Sequence, residues 1–131
     1  MKEKKEPYAV VTLEFYGNTF IAEKVEEAMG IECISRTILG DEQEIGRYKG
    51  AASLFGSATF EAPEQFLEGQ KTLWLLRKLD RCIGKIRALR VETIHLRVDL
   101  FYGKHQCNWE LSHEEIGLLY KLKVNYLYSV C

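Results

Sequence analysis

The segment VETIHLRVDLFYGKHQCNWEL, residues 91–111, carries the pattern from which the fold is predicted. Apolar residues at 94, 96, 98 and 100 alternate with polar residues at 93, 95, 97 and 99, which is typical of a strand with one buried and one wet face. Residues 102–105 predict a turn. Inward-facing Cys107, Trp109 and Leu111 predict a second strand. The segment therefore predicts a long β-hairpin at the centre of an open, mostly antiparallel sheet.

The composition is that of one ordinary globular domain. The chain has 131 residues, of which 47% are hydrophobic, and this is enough to bury a core. We expect residues 1–6 to be a mobile polar leader and residues 7–131 to form a single α+β domain. No apolar run approaches the roughly 18 residues of a membrane helix, and no signal-type segment follows the charged N-terminus. We therefore expect a cytoplasmic protein that makes no membrane contact.

Hydrophobic periodicity predicts the element order β-α-β-β-α-β-β-α-β. We predict strands over residues 8–16, 31–39, 51–60 and 124–130, in addition to the hairpin. A short helix is expected after Gly17, capped by Asn18 or Thr19, and Gly30 is expected to end it. The longest helix is predicted over residues 64–87, and residues 40–50 are expected to form an exposed loop. The fold class is thus α+β, an antiparallel-rich open sheet with helices packed on one face.

The last helix has the clearest start signal in the chain. Ser112 is followed three residues later by Glu115, which is the spacing of a capping box. We expect Ile116, Leu119 and Tyr120 to face the core from this helix. In the strand that follows, the pattern leaves open whether Tyr126 and Tyr128 or Leu127 point inward.

Both ends of the chain resemble a known family. The opening VVTLEFYG (residues 10–17) leads directly into FIAEKVEEAMGIE (residues 20–32), and the chain closes with NWELSHEEIGLLYKLKVNYLY (residues 108–128). This pattern resembles the bacterial family called domain of unknown function 4279, in which a strand–helix start is paired with a capped helix and a final aromatic-rich strand. The resemblance spans about half of the chain. It implies a small α+β fold and a bacterial source, and it offers no catalytic residues.

No residue pattern in the chain predicts an enzyme, a metal site or a cofactor. The three histidines do not share metal-binding spacing on one element, the four cysteines are widely scattered, and no phosphate-binding glycine loop is present. His95, Arg97 and Asp99 lie on the polar face of one predicted strand. A polar ladder between strands explains them, and a cleft of a small-molecule enzyme or sensor is the alternative.

Charge is distributed unevenly along the chain, although the formal net charge is only -1. Residues 22–45 contain seven acidic residues against two basic ones, and residues 71–104 contain nine basic residues against three acidic ones. The plain alternative is that both segments are solvated faces, which can also pair with each other. An acidic surface can instead select a basic protein partner, and the predicted partner-binding residues are Glu23, Glu26, Glu27, Asp41, Glu42 and Glu44.

Our leading hypothesis is a non-enzymatic bacterial protein-binding domain, and more specifically an immunity protein that neutralises a cognate toxin with a basic surface. The alternative is a nucleic-acid-binding module in which Arg77, Arg81 and Lys85, on one ridge of the long helix, contact phosphates. The outer sheet face is a further candidate interface, because Tyr8, Tyr16, Arg97 and Phe101 are expected there. A homodimer through that face is a further alternative.

Overall fold

The computed structural model describes residues 7–37, 56–63, 66, 68–106 and 109–130. Their elements follow in the order β1 (Tyr8–Gly17), α1 (Ala22–Met29), β2 (Ser35–Thr37), β3 (Gly56–Glu61), α2 (Glu68–Ala88), β4 (Thr93–Phe101), α3 (His113–Leu122) and β5 (Asn125–Val130). The described strands form one sheet in the order β2-β3-β1-β4-β5. All neighbours are antiparallel except β4 and β5, which are parallel. The predicted α+β class with an open, mostly antiparallel sheet is confirmed.

The first six elements have the ferredoxin-like βαββαβ arrangement, in which β1 lies between β3 and β4. The unit of α3 and β5 extends this arrangement by one parallel strand beside β4. One face of the sheet forms the core: the inward side chains of β1 and β4 are fully buried against apolar residues of the helices, such as Val25, Leu76 and Leu79. The hydrophobic effect of burying these side chains is the main contribution to the packing of the helices on the sheet.

The predicted hairpin of residues 91–111 is wrong in its second half. The alternation in β4 is confirmed, because its residues are buried at every second position. However, β4 pairs with β1 on one edge and with β5 on the other, so that Leu96 lies opposite Leu13 and Tyr126. Both hydrogen-bonding edges are therefore occupied. Residues 106 and 109–112 are not in a strand, and Cys107 lies outside the described residues.

Helix α1 begins differently from the prediction. Ile21 is the N-cap residue and makes no side-chain capping bond, so neither Asn18 nor Thr19 caps this helix. Phe20 packs into the core from the connection between β1 and α1. The connection therefore includes residues 18–20, and the helix begins after Ile21. The predicted end is confirmed: Gly30 has φ 74° and donates its N–H to the carbonyl of Glu26 at 2.8 Å.

The remaining boundaries differ by a few residues. The second strand is Ser35–Thr37, the third is Gly56–Glu61 and the long helix is Glu68–Ala88. Residues 38–39 and 51–55, which were predicted as parts of these strands, lie outside the described residues. The same holds for the predicted leader, residues 1–6, and the predicted loop, residues 40–50.

Helix α3 confirms its capping box but not all of its inward face. The Ser112 hydroxyl accepts the Glu115 N–H, and the Glu115 carboxylate accepts the Ser112 N–H. Leu119 packs against the core as predicted, whereas Ile116 and Tyr120 are 53% and 88% exposed. Since α3 packs on α2, the positions on its inner side are 115, 118, 119 and 122, which are spaced by three and four residues.

Candidate functional site

An acidic cleft lies where α1 ends and β2 begins. Glu26, Glu32, Cys33, Ile34 and Ser35 line a volume of about 310 Å³. The Glu26 carboxylate accepts the backbone N–H of Cys33 at 3.1 Å. The backbone N–H of Ile34 donates to the Thr59 carbonyl at 2.7 Å, while the Ile34 side chain is 59% exposed. The cleft therefore combines the oriented carboxylate of Glu26 with the exposed side chain of Ile34, whose backbone is hydrogen-bonded to β3.

The predicted acidic surface falls partly on this cleft. Glu26 lines it, whereas Glu23 and Glu27 are exposed on α1 and do not line the cleft. Glu27 is 3.7 Å from the Lys24 ammonium. Asp41, Glu42 and Glu44 lie outside the described residues.

Two cleft residues, Glu32 and Ile34, were missing from the predicted partner-binding set. Glu32 follows the helix-ending Gly30 by two residues, and Ile34 follows by four. The available signal in the sequence was an apolar residue close to an acidic residue in the connection after a helix. This signal does not predict a binding site, because Ile34 fits a buried position in a strand equally well.

The predicted basic ridge of α2 is divided among three environments. Arg77 donates from Nε and Nη2 to the Glu114 carboxylate of α3, at 2.9 to 3.0 Å. Lys85 lies in a second depression, between α1 and α2, together with Lys24 and Glu27. Arg81 is exposed and pairs with no acidic residue in the described part of the chain. The three cations are thus on one helix side, but only Arg77 and Arg81 line the same depression, and Lys85 lines another.

A groove with basic and aromatic walls runs along the outer side of α2. Phe66, Trp74, Arg77, Lys78 and Arg81 line it, with Gln70 and Leu73, and its volume is about 360 Å³. The rings of Phe66 and Trp74 are 5.5 Å apart and inclined by 38°. The Lys78 ammonium lies 5.1 Å from the centre of the Trp74 ring, which is a cation–π distance. Sequence reasoning did not single out Trp74, although positions 74, 77, 78 and 81 have the spacing of one helix face.

The sheet face opposite the helices carries the polar ladder predicted for β4. His95, Arg97 and Asp99 are half-buried and lie in a row. Arg97 donates to Glu14 at 3.1 Å, and Asp99 accepts the Ser129 hydroxyl at 2.5 Å. None of these three residues lines any of the three cavities described above. Their contacts are those of cross-strand pairs, which stabilise a sheet.

The aromatic residues predicted for this face are arranged in two groups. Tyr8 and Phe101 stack with ring centres 4.8 Å apart, and Tyr16 lies 5.3 Å from the His95 ring. Burial, with the neighbouring Glu14 carboxylate, raises the pKa of Tyr16 to about 12. On the last strand, pairing places Tyr126 and Tyr128 opposite Leu96 and Val98, on the helix side of the sheet.

Leu127 lies opposite Arg97, on the outer face, which answers the question that the sequence left open. Tyr126 is half-buried against the core, whereas Tyr128 is exposed because no described helix covers the end of the edge strand.

The chain was compared with protein-family models, with curated proteins and with solved structures, and no match was found in any of the three comparisons. Across the described residues, no cluster of histidine, cysteine and carboxylate side chains is arranged to hold a metal ion. No helix in the described part of the chain is both long enough and apolar enough to cross a membrane.

Proposed function

We propose that this chain is a non-catalytic, cytoplasmic, bacterial protein-binding domain, and specifically an immunity protein that blocks a toxin domain with a basic surface. The observation that carries the proposal is the acidic cleft, in which Glu26 and Glu32 stand beside the exposed Ile34. A basic partner can place a lysine or arginine head group at the carboxylates and cover Ile34 with the aliphatic stem of the same side chain.

Hydrogen bonds hold the cleft residues in place, and this lowers the entropic cost of binding a partner. The Cys33 N–H holds the Glu26 carboxylate, and the bond from Ile34 to Thr59 ties the following backbone to β3. Because these groups are already ordered, less conformational entropy is lost when a partner docks. A partner that covers Ile34 would remove this exposed side chain from water, and binding hot spots lie at such desolvated positions.

The charge of the surrounding surface supports a basic partner. Glu23 and Glu27 are exposed on α1, the helix that also carries Glu26 of the cleft, and Lys24 is the one basic residue of that helix. A negative surface attracts a positively charged domain during diffusion and thereby speeds association. Many toxins that act on nucleic acid need a basic surface for their substrate, and an inhibitor with this charge would compete for it.

The test is co-purification from the native host, followed by affinity measurements on the recovered protein. The tagged full chain should recover one basic protein in stoichiometric amount. E32Q and I34S should each weaken its binding about tenfold, the size of a strong interface contact, and E32Q should also reduce the dependence of affinity on salt.

The matched control is E110Q, which removes an exposed carboxylate on another part of the chain. It should leave the affinity within about twofold of the unmodified chain. Equal losses in E32Q and E110Q, or an unchanged affinity in I34S, would refute a partner seated in the cleft. In cells, the chain should relieve the toxicity of the recovered protein, and the I34S variant should do so less well.

A further inference from the structure

The groove on α2 contains the two chemical features that a nucleotide needs: an aromatic surface and a group of cations. We propose that it binds a nucleobase–phosphate unit, with the base on Trp74 and the phosphate at Arg81. This site is separate from the acidic cleft, because it lies on the outer side of α2 between Phe66 and Arg81. The inference therefore does not depend on the proposed protein partner.

Trp74 supplies a surface for stacking. Its indole is half-buried, so that its position is fixed by packing, and Phe66 inclines toward it at 5.5 Å. The Lys78 ammonium lies over the indole ring at 5.1 Å. A base can take the place of this ammonium, because both interact with the ring face, and the displaced lysine then adds its charge to the phosphate side.

Arg81 supplies the charge for the phosphate. It is exposed at the edge of the groove and pairs with no acidic residue of the described chain. A guanidinium presents planar, paired donors that match phosphate oxygens. Arg77 is already paired with the Glu114 carboxylate. Its guanidinium is therefore held in one orientation, and it adds little positive charge to the groove. The described residues that line the groove include three basic side chains and no acidic one.

The size and composition of the groove favour a nucleotide over an acidic peptide. The volume of about 360 Å³ lies at the lower end of small-molecule sites, roughly 300–1,000 Å³. An acidic peptide would use the cations but would leave the apolar surface of Phe66 and Trp74 without a planar partner. The same chemistry can come from a free nucleotide or from one unit of single-stranded RNA, and the experiment separates these sources.

Tryptophan fluorescence can report the site directly. The chain has two tryptophans, Trp74 and Trp109, so a W109F background leaves Trp74 as the only indole. The probes are adenosine 5′-monophosphate, adenosine, ribose 5-phosphate and an eight-nucleotide single-stranded oligoadenylate. We expect the monophosphate to quench Trp74. Adenosine and ribose 5-phosphate should each bind about tenfold more weakly, since each lacks one of the two contacts.

R81Q and K85Q form a matched pair of variants. Both remove one exposed positive charge from the same ridge of α2, but only Arg81 lines the groove. R81Q should weaken binding of the monophosphate about tenfold, whereas K85Q should change it less than about twofold. Tighter binding of the oligoadenylate than of the monophosphate identifies single-stranded RNA as the source of the ligand, and equal binding identifies the free nucleotide.

Three outcomes would overturn the proposal. The first is that neither the monophosphate nor the oligoadenylate quenches Trp74 in a chain whose circular dichroism shows that it is folded. The second is an equal loss of affinity in R81Q and K85Q, which would indicate a diffuse charge effect. The third is that polyglutamate binds as tightly as the oligoadenylate in the unmodified chain and in W74L, which would assign the groove to an acidic protein.

Discussion

The Arg77 guanidinium donates hydrogen bonds from two nitrogens to the Glu114 carboxylate, at 2.9 to 3.0 Å, and so joins α2 to α3. The two residues are 37 positions apart, and both side chains are about half exposed. This contact explains why a basic ridge that is continuous in the sequence is interrupted in the structure. It also sets the charge of the groove beside Trp74, because one of the lining cations is already paired.

E114Q should therefore affect stability and ligand binding in opposite directions. Loss of an exposed ion pair should lower the free energy of unfolding by no more than about 1 kcal/mol, because solvent screens it. The released charge of Arg77 should make adenosine monophosphate bind about twofold to threefold more tightly. Urea unfolding and Trp74 quenching measure the two effects. Weaker nucleotide binding in E114Q would mean that the carboxylate positions Arg77 for the ligand.

Gly17 and Gly84 should respond oppositely to alanine. A Cβ atom on Gly17 would lie 2.6 Å from the Arg90 carbonyl oxygen, at the end of β1, so that backbone must move. We expect G17A to lower the free energy of unfolding by roughly 1–3 kcal/mol, as overpacking does. Gly84 is exposed in α2 and has open space around it, so G84A should add about 0.5–1 kcal/mol.

Thermal and urea unfolding of the two variants would test this contrast. If G17A leaves the free energy of unfolding unchanged, the backbone before β4 can move away from the added methyl group at little cost. Gly84 is the control, because it tests the same substitution without the close backbone contact.

Tyr16 should make stability fall at high pH. Its pKa is raised from 10.0 to about 12 in the folded chain, chiefly by burial. The protonated form is thus favoured by folding, and its contribution is complete below pH 10 and is lost as the pH rises through 12. Y16F should lack this loss. Between pH 8 and pH 12 the urea midpoint of the unmodified chain should fall relative to that of Y16F, and the absorbance of tyrosinate should lose its component near pH 12.

Y120F is the control for the alkaline experiment, since Tyr120 is 88% exposed on α3. Its stability curve should run parallel to that of the unmodified chain over the whole pH range. A Y16F curve that also ran parallel would show that Tyr16 is ionised equally in the folded and unfolded states.

Removal of the acidic surface should weaken the proposed protein interaction through the association rate. The variant carries amides at the six predicted positions, Glu23, Glu26, Glu27, Asp41, Glu42 and Glu44. Because rim charges act mainly on diffusional encounter, we expect the association rate to fall about tenfold or more at low salt and the dependence of affinity on salt to flatten. Surface plasmon resonance at several salt concentrations measures both. An unchanged rate would exclude these carboxylates from recognition.

Much of the local structure was predictable because it depends on neighbouring residues. The two-residue period of β4, the Gly30 end of α1 and the capping box of Ser112 and Glu115 are all confirmed. Each arises from backbone geometry within a few positions: strand pleating, the left-handed conformation open to glycine, and unpaired N–H groups at a helix start. The candidate sites were less predictable, since Ile34 and Trp74 both fit a buried position equally well.

The sequence by itself determined the periodicity and the class of the fold, an α+β sheet with one buried face. Only the tertiary structure decided which strands lie next to β4: residues 106–111 alternate well enough for a hairpin, but β1 and β5 occupy both hydrogen-bonding edges of β4. It also decided which side of α3 faces inward, and that Arg77 is paired while Arg81 stays exposed. Local patterns specify how a segment is built, whereas its neighbours are selected by burial and charge pairing between residues far apart in the chain.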